Sequence, residues 1–208
     1  ANGQKYIQIK APSVESATAL IEKNNSIIFK TFDQHRRTTI QKTVNKKGSK
    51  KVRQCLKNYH AVSIKVPTGY KIHVDTTDFI YFYKKGIKNC EYGKSSDCVY
   101  HTGFMVYYFP YYSEKVFNSN FLTKKRDSLT NLFIEGSSTK DSLKAFMQVE
   151  SLLPIASKAI SINKSYGYEM KGWWKMKNGI MGGPFVNISI VDEVRNRVIC
   201  VDGFCFAP

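Results

Sequence analysis

The stretch FVNISIVDEVRNRVICVDGFCF, residues 185–206, contains two strand-like runs joined by a short polar connection. Apolar and polar residues alternate in residues 185–192, and residues 198–206 form a second strand-like run. The connection, residues 193–197, has a length typical of hairpin loops. The stretch therefore predicts two neighbouring antiparallel strands.

More strands are predicted upstream of this hairpin, with one helix among them. Residues 113–133 show helical spacing of their apolar side chains. The strand-like runs are residues 61–67, 79–83, 103–110, 145–150 and 159–176. Runs of strands with few helices between them predict an α+β fold, a largely antiparallel sheet with helices packed on it.

The first part of the chain has a different character. Residues 5–10 alternate like a strand and stop at Pro12, and Ser13 is a candidate N-cap for a helix that breaks at Gly48. A second short helix is expected over residues 49–59. We therefore expect a strand plus a basic helical segment in residues 1–59, packed on a sheet-rich α/β sandwich domain in residues 60–208.

The chain is strongly basic, with 32 Lys and Arg against 16 Asp and Glu and a net charge of +16. Such a surface attracts anionic partners, whether nucleic acid, anionic lipid or acidic glycan. The predicted helices hold a dense basic group, which fits either an anion-binding ridge or a solvated helix face. Its members are Arg36, Arg37, Lys46, Lys47, Lys50, Lys51 and Arg53.

No apolar window is long enough for a membrane span, and the first residues do not resemble a signal peptide. We expect a soluble chain from which any export signal has been removed.

The five cysteines bear on compartment and metal binding. Cys90 and Cys98 bracket a turn-rich segment, which fits a disulfide in an oxidising compartment or two reduced thiols. Cys200 and Cys205 share one predicted strand with side chains on opposite faces, so they do not pair easily. There is no C-x-x-C pair or histidine at motif spacing, so no metal site is predicted.

No catalytic motif stands out. The four histidines occur singly, and G-x-S-x-G and phosphate-binding glycine loops are missing from the sequence. We predict no cofactor and assign no catalytic residue. Carboxylates near strand ends are the candidates if the protein is an enzyme, namely Asp75, Asp78, Glu169 and Asp192.

The segment MGGPF, residues 181–185, fits a hard turn between strands or an anion nest made by Gly182 and Gly183. Just upstream, Trp173 and Trp174 face opposite sides of a strand, so one is expected in the core and the other outside. An exposed aromatic beside lysines could stack on a base or a sugar ring, whereas core packing is the alternative.

Several segments together resemble one family. They are residues 64–70, 108–111, 125–128, 170–174, 181–185 and 201–208. They look like the Bacteroidota lipoprotein family known as domain of unknown function 4837, with this chain corresponding to its C-terminal two thirds. The resemblance implies a cell-envelope protein anchored through an acylated cysteine absent from this chain. It supplies no activity or catalytic residue.

Three short motifs resemble the sites at which Bacteroidota O-glycosylate exported proteins. Their acceptor residues would be Thr76, Ser128 and Ser142. Helix capping or surface polarity explains the serines equally well.

These observations favour a non-catalytic envelope module that binds a protein partner or an anionic glycan or lipid. The alternative is an envelope enzyme that acts on a polymer through a carboxylate site. Nucleic-acid binding would follow from charge alone, and an envelope location would exclude it.

Overall fold

The structure, a computed structural model, describes residues 3–89, 97–136, 138 and 143–206, without the side chains of residues 87–89 and 97–99. The chain divides into two compact units, Ala1–Thr68 and Gly69–Pro208, called unit 1 and unit 2 below.

Unit 1 contains two helices, α1 (Val14–Lys47) and α2 (Lys50–His60). Ser13 caps α1 by accepting a hydrogen bond from the Ser16 N–H, as its sequence position predicts. The helix continues without a break to Lys47, because no glycine or proline interrupts it before Gly48. In α2, Val52, Leu56 and His60 are buried at a spacing of four residues.

The strand predicted at residues 5–10 is not formed, and this prediction was wrong. The segment is extended and exposed, and the Gly3 carbonyl oxygen lies 2.8 Å from the His35 Nε2 atom. It therefore runs back along α1, whose half-buried stripe consists of Ala17, Asn24, Ile28, Thr31 and His35. A strand needs a ladder partner, and here the neighbour is a helix.

The strand predicted at residues 61–67 is also wrong. Ala61 takes the left-handed conformation and its N–H bonds to the Leu56 carbonyl, which ends α2. The segment then makes a single bridge, from Pro67 to Gly48. The Val66 carbonyl accepts from the Ser49 N–H, so it closes the corner between the helices.

In its described residues, unit 2 is an antiparallel sheet with one α-helix, α3 (Ser119–Phe133), and this confirms the α+β prediction. The strands are β1 (Lys71–Asp75), β2 (Phe79–Asn89), β3 (Asp97–Pro110), β4 (Glu135–Gly136), β5 (Ala145–Val149), β6 (Ala156–Ile162), β7 (Ser165–Lys177), β8 (Gly182–Asp192) and β9 (Arg197–Phe206). Their order is β1-β2-β3-β9-β8-β7-β5-β4. Strand β6 also pairs with β7, along the half of its edge that β5 leaves free.

The closing hairpin forms as predicted, with β8 and β9 in register from Phe185↔Phe204 to Asp192↔Arg197. The single strand predicted at residues 159–176 is two strands, β6 and β7. Asn163 and Lys164 join them with φ angles of 51° and 71°. Two residues with positive φ make the turn that suits the twist of a tight hairpin, and the alternation in the sequence does not reveal it.

Helix α3 packs on the concave face of the curled sheet. Leu122, Arg126 and Thr130 are completely buried at a spacing of four residues. Asn118 caps the helix by accepting from the Phe121 N–H. Because α3 ends at Phe133, one end of the concave face extends beyond the helix, and this is where the candidate site lies.

Candidate functional site

A cavity of about 590 Å³ lies in unit 2 on the concave face of the sheet, beyond the C-terminal end of α3. Its size falls in the range of pockets that bind small ligands, roughly 300–1,000 Å³. Strand side chains alternate between faces, so the inward-facing positions that form the core next to α3 line the cavity farther along the same strands. The cavity is a continuation of the core beyond the residues that α3 covers.

One wall of the cavity is apolar. It consists of Phe133 and Ile134 after α3, Met147 on β5, Trp174 and Met176 on β7, Met181, and Phe204 and Phe206 on β9. The Trp174 and Phe204 rings meet edge to face with centroids 5.7 Å apart. Gly103 leaves room for Phe204, because a Cβ atom there would lie 2.5 Å from the Phe204 ring. The flexible methionines allow this wall to adapt to a ligand's shape.

A polar wall adjoins the apolar one and carries rings from β1, β2 and β3, with the Tyr81 and Phe204 ring centroids 6.0 Å apart. The rings of this wall belong to His73, Tyr81, Tyr83 and His101. The His73 ring packs edge-on against Tyr81 with centroids 5.6 Å apart, and the Tyr83 and His101 rings stack at 5.5 Å. The Tyr83 hydroxyl is hydrogen-bonded to the His101 Nδ1 atom. Burial raises the pKa of Tyr81, so its hydroxyl stays protonated.

Among the residues that the structure describes, the rim of the cavity carries one carboxylate. The Glu135 side chain is 69% exposed, and its Oε1 atom lies 3.0 Å from the Lys144 Nζ atom. This ion pair balances the carboxylate charge at the entrance. The cavity therefore joins an apolar wall to a wall of hydroxyl and imidazole groups, and the carboxylate at its rim is ion-paired.

A buried polar network lies beside the cavity, under α3. The Arg126 Nε atom donates to the Asp202 Oδ2 atom at 3.0 Å, and both side chains are completely buried. Asn187 donates to the same oxygen and to the Tyr107 hydroxyl. The Arg126 Nη2 atom lies 3.3 Å from the sulfur of Met147, which also lines the cavity. The network thus contacts the apolar wall of the cavity through Met147.

Cys200 belongs to the same buried region and is not a candidate nucleophile. Its Sγ atom lies 3.1 Å from the Ser189 hydroxyl, and burial raises the pKa of the thiol to about 12. The reactive form of cysteine is the thiolate, which this environment disfavours.

The structure places the predicted basic residues on the two helices of unit 1. Arg36 and Arg37 both bond to Asp33, at 2.9 and 2.7 Å, and these bonds lower the pKa of Asp33 to about 2. Lys46 and Lys47 are exposed in the last turn of α1. In α2, Lys50, Lys51 and Arg53 are exposed, and Lys57 extends the set.

The two tryptophans and two glycines meet at a second, shallower hollow of about 400 Å³. Trp173, Trp174, Gly182 and Gly183 all line it, together with Leu153 and Ile180. Trp174 is buried and Trp173 is 48% exposed, as their alternation predicts. Trp174 donates its indole N–H to the Cys205 carbonyl, so its polar edge is satisfied inside the sheet.

The turn predicted at residues 181–185 was wrong. Gly182 and Gly183 are the first residues of β8 and pair with Lys175 and Trp174, and the turn precedes them at residues 178–181. Gly183 serves a close contact between strands, because a Cβ atom there would lie 2.0 Å from the Cys205 carbonyl oxygen.

The four candidate carboxylates have different partners, although Asp75, Asp78 and Asp192 all border the pair formed by Tyr108 and Arg197, whose guanidinium carbon lies 4.2 Å from the centre of the Tyr108 ring. Glu169 is buried between Lys158 and Lys171, at 3.4 and 3.3 Å. Asp192 lies 2.9 Å from the Arg197 Nε atom and 3.6 Å from Arg195. Asp75 and Asp78 lie at the β1–β2 connection near Tyr108, where their charges contribute to a raised Tyr108 pKa that is mainly due to burial.

The remaining predicted sites are modification sites. Thr76 is half-buried, and its hydroxyl bonds to the backbone of Phe79 in the β1–β2 turn. Ser128 is exposed on α3. Ser142 and the pairing of Cys90 with Cys98 lie outside the residues and side chains that the structure describes.

Apart from Trp174, the cavity residues were not identified from the sequence. His73 and His101 occur singly in sequence, and only the pairing of β1 with β2 and of β2 with β3 brings them to the same wall. A weak signal exists in β2, where one face carries the phenyl ring of Phe79 followed by the hydroxyl-bearing rings of Tyr81 and Tyr83. That pattern predicts a polar end of the core, but it does not locate a cavity.

The described part of the chain contains neither a metal-ligand cluster nor a membrane-spanning helix. Among these residues, no group of three or more His, Cys, Asp and Glu side chains is arranged to hold a metal ion. None of the helices within the same residues combines the length and apolarity that crossing a membrane requires.

Comparison with known proteins identifies one family. No curated protein sequence matches the chain. A protein-family model described as a domain of unknown function (DUF4837) matches residues 49–208, from the N-cap of α2 through the whole of unit 2. Residues 1–48, including α1, lie outside the match. Since the matched residues make up well over half of the sequence, the chain belongs to the DUF4837 family.

Proposed function

We propose that this protein is a non-catalytic binding module of the cell envelope, and that its ligand site is the cavity on the concave face of unit 2. The observation that carries this proposal is the cavity itself, with an apolar wall of aromatic and methionine side chains next to four polar rings. Such a combination is typical of small-molecule sites, where apolar contacts give affinity and a few polar groups give orientation.

The envelope assignment rests on the resemblance of this chain to a family of lipoproteins from the Bacteroidota. In the full-length protein, an acylated cysteine outside this chain would supply the membrane anchor. The basic helices of unit 1 fit this setting, because they would be attracted to anionic lipid or glycan at an envelope surface.

An envelope enzyme that acts on a polymer is the alternative function. Paired carboxylates are the usual acid and base of glycoside cleavage. Glu169 and Asp192 are each held by two basic side chains, which favours an ion-pairing role for both. The carboxylates thus give the enzyme alternative less support than the cavity gives to binding.

The test is to purify the tagged full-length protein from native envelopes and to identify bound molecules by mass spectrometry. The matched variant is Gly136→Leu, because a Cβ atom at this cavity residue would lie 2.7 Å from the end of the Met176 side chain and push it into the cavity. We expect a stoichiometric small molecule with the wild-type protein and its loss from the variant.

The purification is run at low and at high salt, so that charge-dependent partners are separated from the cavity ligand. A protein partner that survives high salt, with no molecule dependent on the cavity, would contradict the proposal and favour an assembly role. Turnover of an envelope polymer that the Asp75→Asn and Asp78→Asn changes abolish would favour the enzyme alternative.

A further inference from the structure

We propose that the cavity binds a carboxylic acid with a long apolar tail, the tail lying among Trp174, Met176 and Phe204 and the carboxylate against Tyr83 and His101. This inference rests on the proposed function, because it names the ligand class of the same site. It follows from three properties of the cavity. One wall is apolar and the other is polar, the polar wall offers hydrogen-bond donors, and the Glu135 carboxylate at the rim is paired with Lys144.

The unlike walls require an amphipathic ligand. The side of the cavity formed by α3, β5, β7 and β9 contributes aromatic, aliphatic and thioether groups, and each of its apolar contacts gains from excluding water. A ligand that was polar throughout would leave this wall unsatisfied. A ligand that was apolar throughout would leave the Tyr81 hydroxyl and the remaining donor of the Tyr83–His101 pair without a partner, which is costly.

The polar wall presents hydrogen-bond donors. If the Tyr83 hydroxyl donates to the His101 Nδ1 atom, the neutral imidazole carries its proton on Nε2 and offers that N–H. If the Nδ1 atom carries the proton and donates to the Tyr83 oxygen, the hydroxyl proton is the one left to donate. In either arrangement the pair offers a donor, and the protonated Tyr81 hydroxyl on the neighbouring inward position offers another.

Donors in a partly dry site favour an anionic acceptor over a neutral one. Hydrogen bonds to a charged group contribute about twice as much as neutral ones. A carboxylate has two oxygens, so it can accept from Tyr83 or His101 and from Tyr81 together.

A cationic head group fits this site less well, although aromatic walls attract cations. The carboxylate at the rim, Glu135, is already paired with Lys144 and is mostly in water. The polar wall itself contains hydroxyl and imidazole groups and no acidic side chain. Unit 2 itself has 18 Lys and Arg residues against 13 Asp and Glu, and this excess of positive charge favours an anion over a cation near the cavity.

The test uses the full chain with Trp173→Phe, so that Trp174 in the cavity wall is the remaining tryptophan and its fluorescence reports binding. Dodecanoate, 1-dodecanol and dodecyltrimethylammonium are titrated below their aggregation concentrations. We expect dodecanoate to bind roughly tenfold more tightly than 1-dodecanol. Equal or tighter binding of the ammonium compound, or no binding of dodecanoate, would overturn the inference.

Tyr83→Phe tests the head-group position within that background. It should weaken dodecanoate roughly tenfold and change 1-dodecanol by less than about threefold, because only the charged head group depends strongly on the donor pair. Tyr112→Phe, the same change at a residue that is 83% exposed, should alter neither. An unchanged affinity for dodecanoate in Tyr83→Phe would overturn the assigned position.

Failure of this inference is distinguishable from failure of the proposed function. If native purification yields another small molecule that Gly136→Leu removes, the cavity is a binding site and only the carboxylate assignment fails. If neither native material nor the three probes occupy the cavity, both fail.

Discussion

Arg126 and Asp202 place two charged groups inside the core of unit 2, where charge is expensive. Removing such groups from water costs several kcal/mol per ion, and good geometry is needed to offset it. Here Asp202 accepts from Arg126 through both oxygens, at 3.0 and 3.3 Å, and Asn187 adds a third bond. The guanidinium carbon also lies 4.4 Å from the centre of the Phe185 ring. Each charged group thus offsets part of the desolvation cost of burying the other.

We predict that Asp202→Leu lowers the free energy of unfolding by about 3–5 kcal/mol, because it leaves the Arg126 charge buried without its partner. The double change Arg126→Met with Asp202→Leu should recover most of that loss, since it removes both charges. Urea denaturation of both variants measures the difference. A double variant as unstable as the single one would mean that shape, and not charge, dominates at this site.

The carboxyl group of Asp127 should make stability depend on pH. Burial is the main cause of its raised pKa, although its carboxylate accepts from the Val149 N–H. The folded state then holds this proton more tightly than the unfolded state does. The contribution is therefore fully present below about pH 3.9, the ordinary pKa of Asp, and is lost as the pH rises through the raised value.

The expected result for Asp127→Asn is the loss of this pH dependence, with the Val149 bond kept because the amide oxygen still accepts. Urea denaturation of the wild type and the variant at several pH values from about 3 to 7 gives the difference. The wild type should lose stability relative to the variant as the pH rises. A difference that stays constant over this range would refute the assignment.

At the scale of elements, the packing of strands β7, β8 and β9 depends on a close approach between their backbones. The Cys205 carbonyl accepts from the Trp174 indole and lies close to Gly183, at a distance that leaves no room for a Cβ atom. This contact lets a large side chain on β7 bond to the backbone of β9 across the intervening strand β8. The glycine is therefore a packing requirement of the sheet.

Gly183→Ala should destabilise unit 2 by about 1–3 kcal/mol, because the added methyl group forces the β8 and β9 backbones apart. Gly203→Ala in β9 is the matched control. A Cβ atom at Gly203 has no neighbour within 4 Å, so this change should be neutral within about 0.5 kcal/mol. Thermal unfolding compares them. Equal effects of the two changes would contradict the packing explanation.

At the scale of the whole molecule, the two candidate binding chemistries belong to different units. Unit 2 contains the cavity, whereas unit 1 has 14 of the 32 Lys and Arg residues and, as acidic residues, only Glu15, Glu22 and Asp33. In α2, Lys50, Arg53 and Lys57 are spaced so that they share one exposed face, beside the face that buries Val52 and Leu56. This face suits electrostatic attraction to an anionic surface.

Replacing Lys50, Arg53 and Lys57 with Gln should reduce binding to vesicles of phosphatidylcholine and phosphatidylglycerol roughly tenfold or more, since each cation contributes about 1 kcal/mol near such a surface. Cosedimentation at low and high salt measures it. The control replaces three exposed lysines of unit 2, Lys115, Lys124 and Lys164. If both triple variants lose the same affinity, net charge matters and the α2 face has no special role.

Local patterns in the sequence predicted many elements because their signals are local. Ser13 and Gly48 mark the ends of α1, and the spacing of apolar residues predicts α3. The two runs within residues 185–206 predict the last hairpin, and the +16 charge predicts a basic surface. Family membership could also be inferred from the segments at residues 64–70 and 170–208, because a resemblance depends on residue identity alone.

What only the tertiary structure decided is which segments find a partner and which side chains meet. Residues 5–10 have a strand pattern, but they lie along a helix and form no ladder. His73, Tyr83 and His101 are far apart in sequence, and strand pairing places them together beyond the end of α3. Sequence periodicity records which face of its own element a residue occupies. It does not record where another element stops, and the cavity exists because α3 ends before the sheet does.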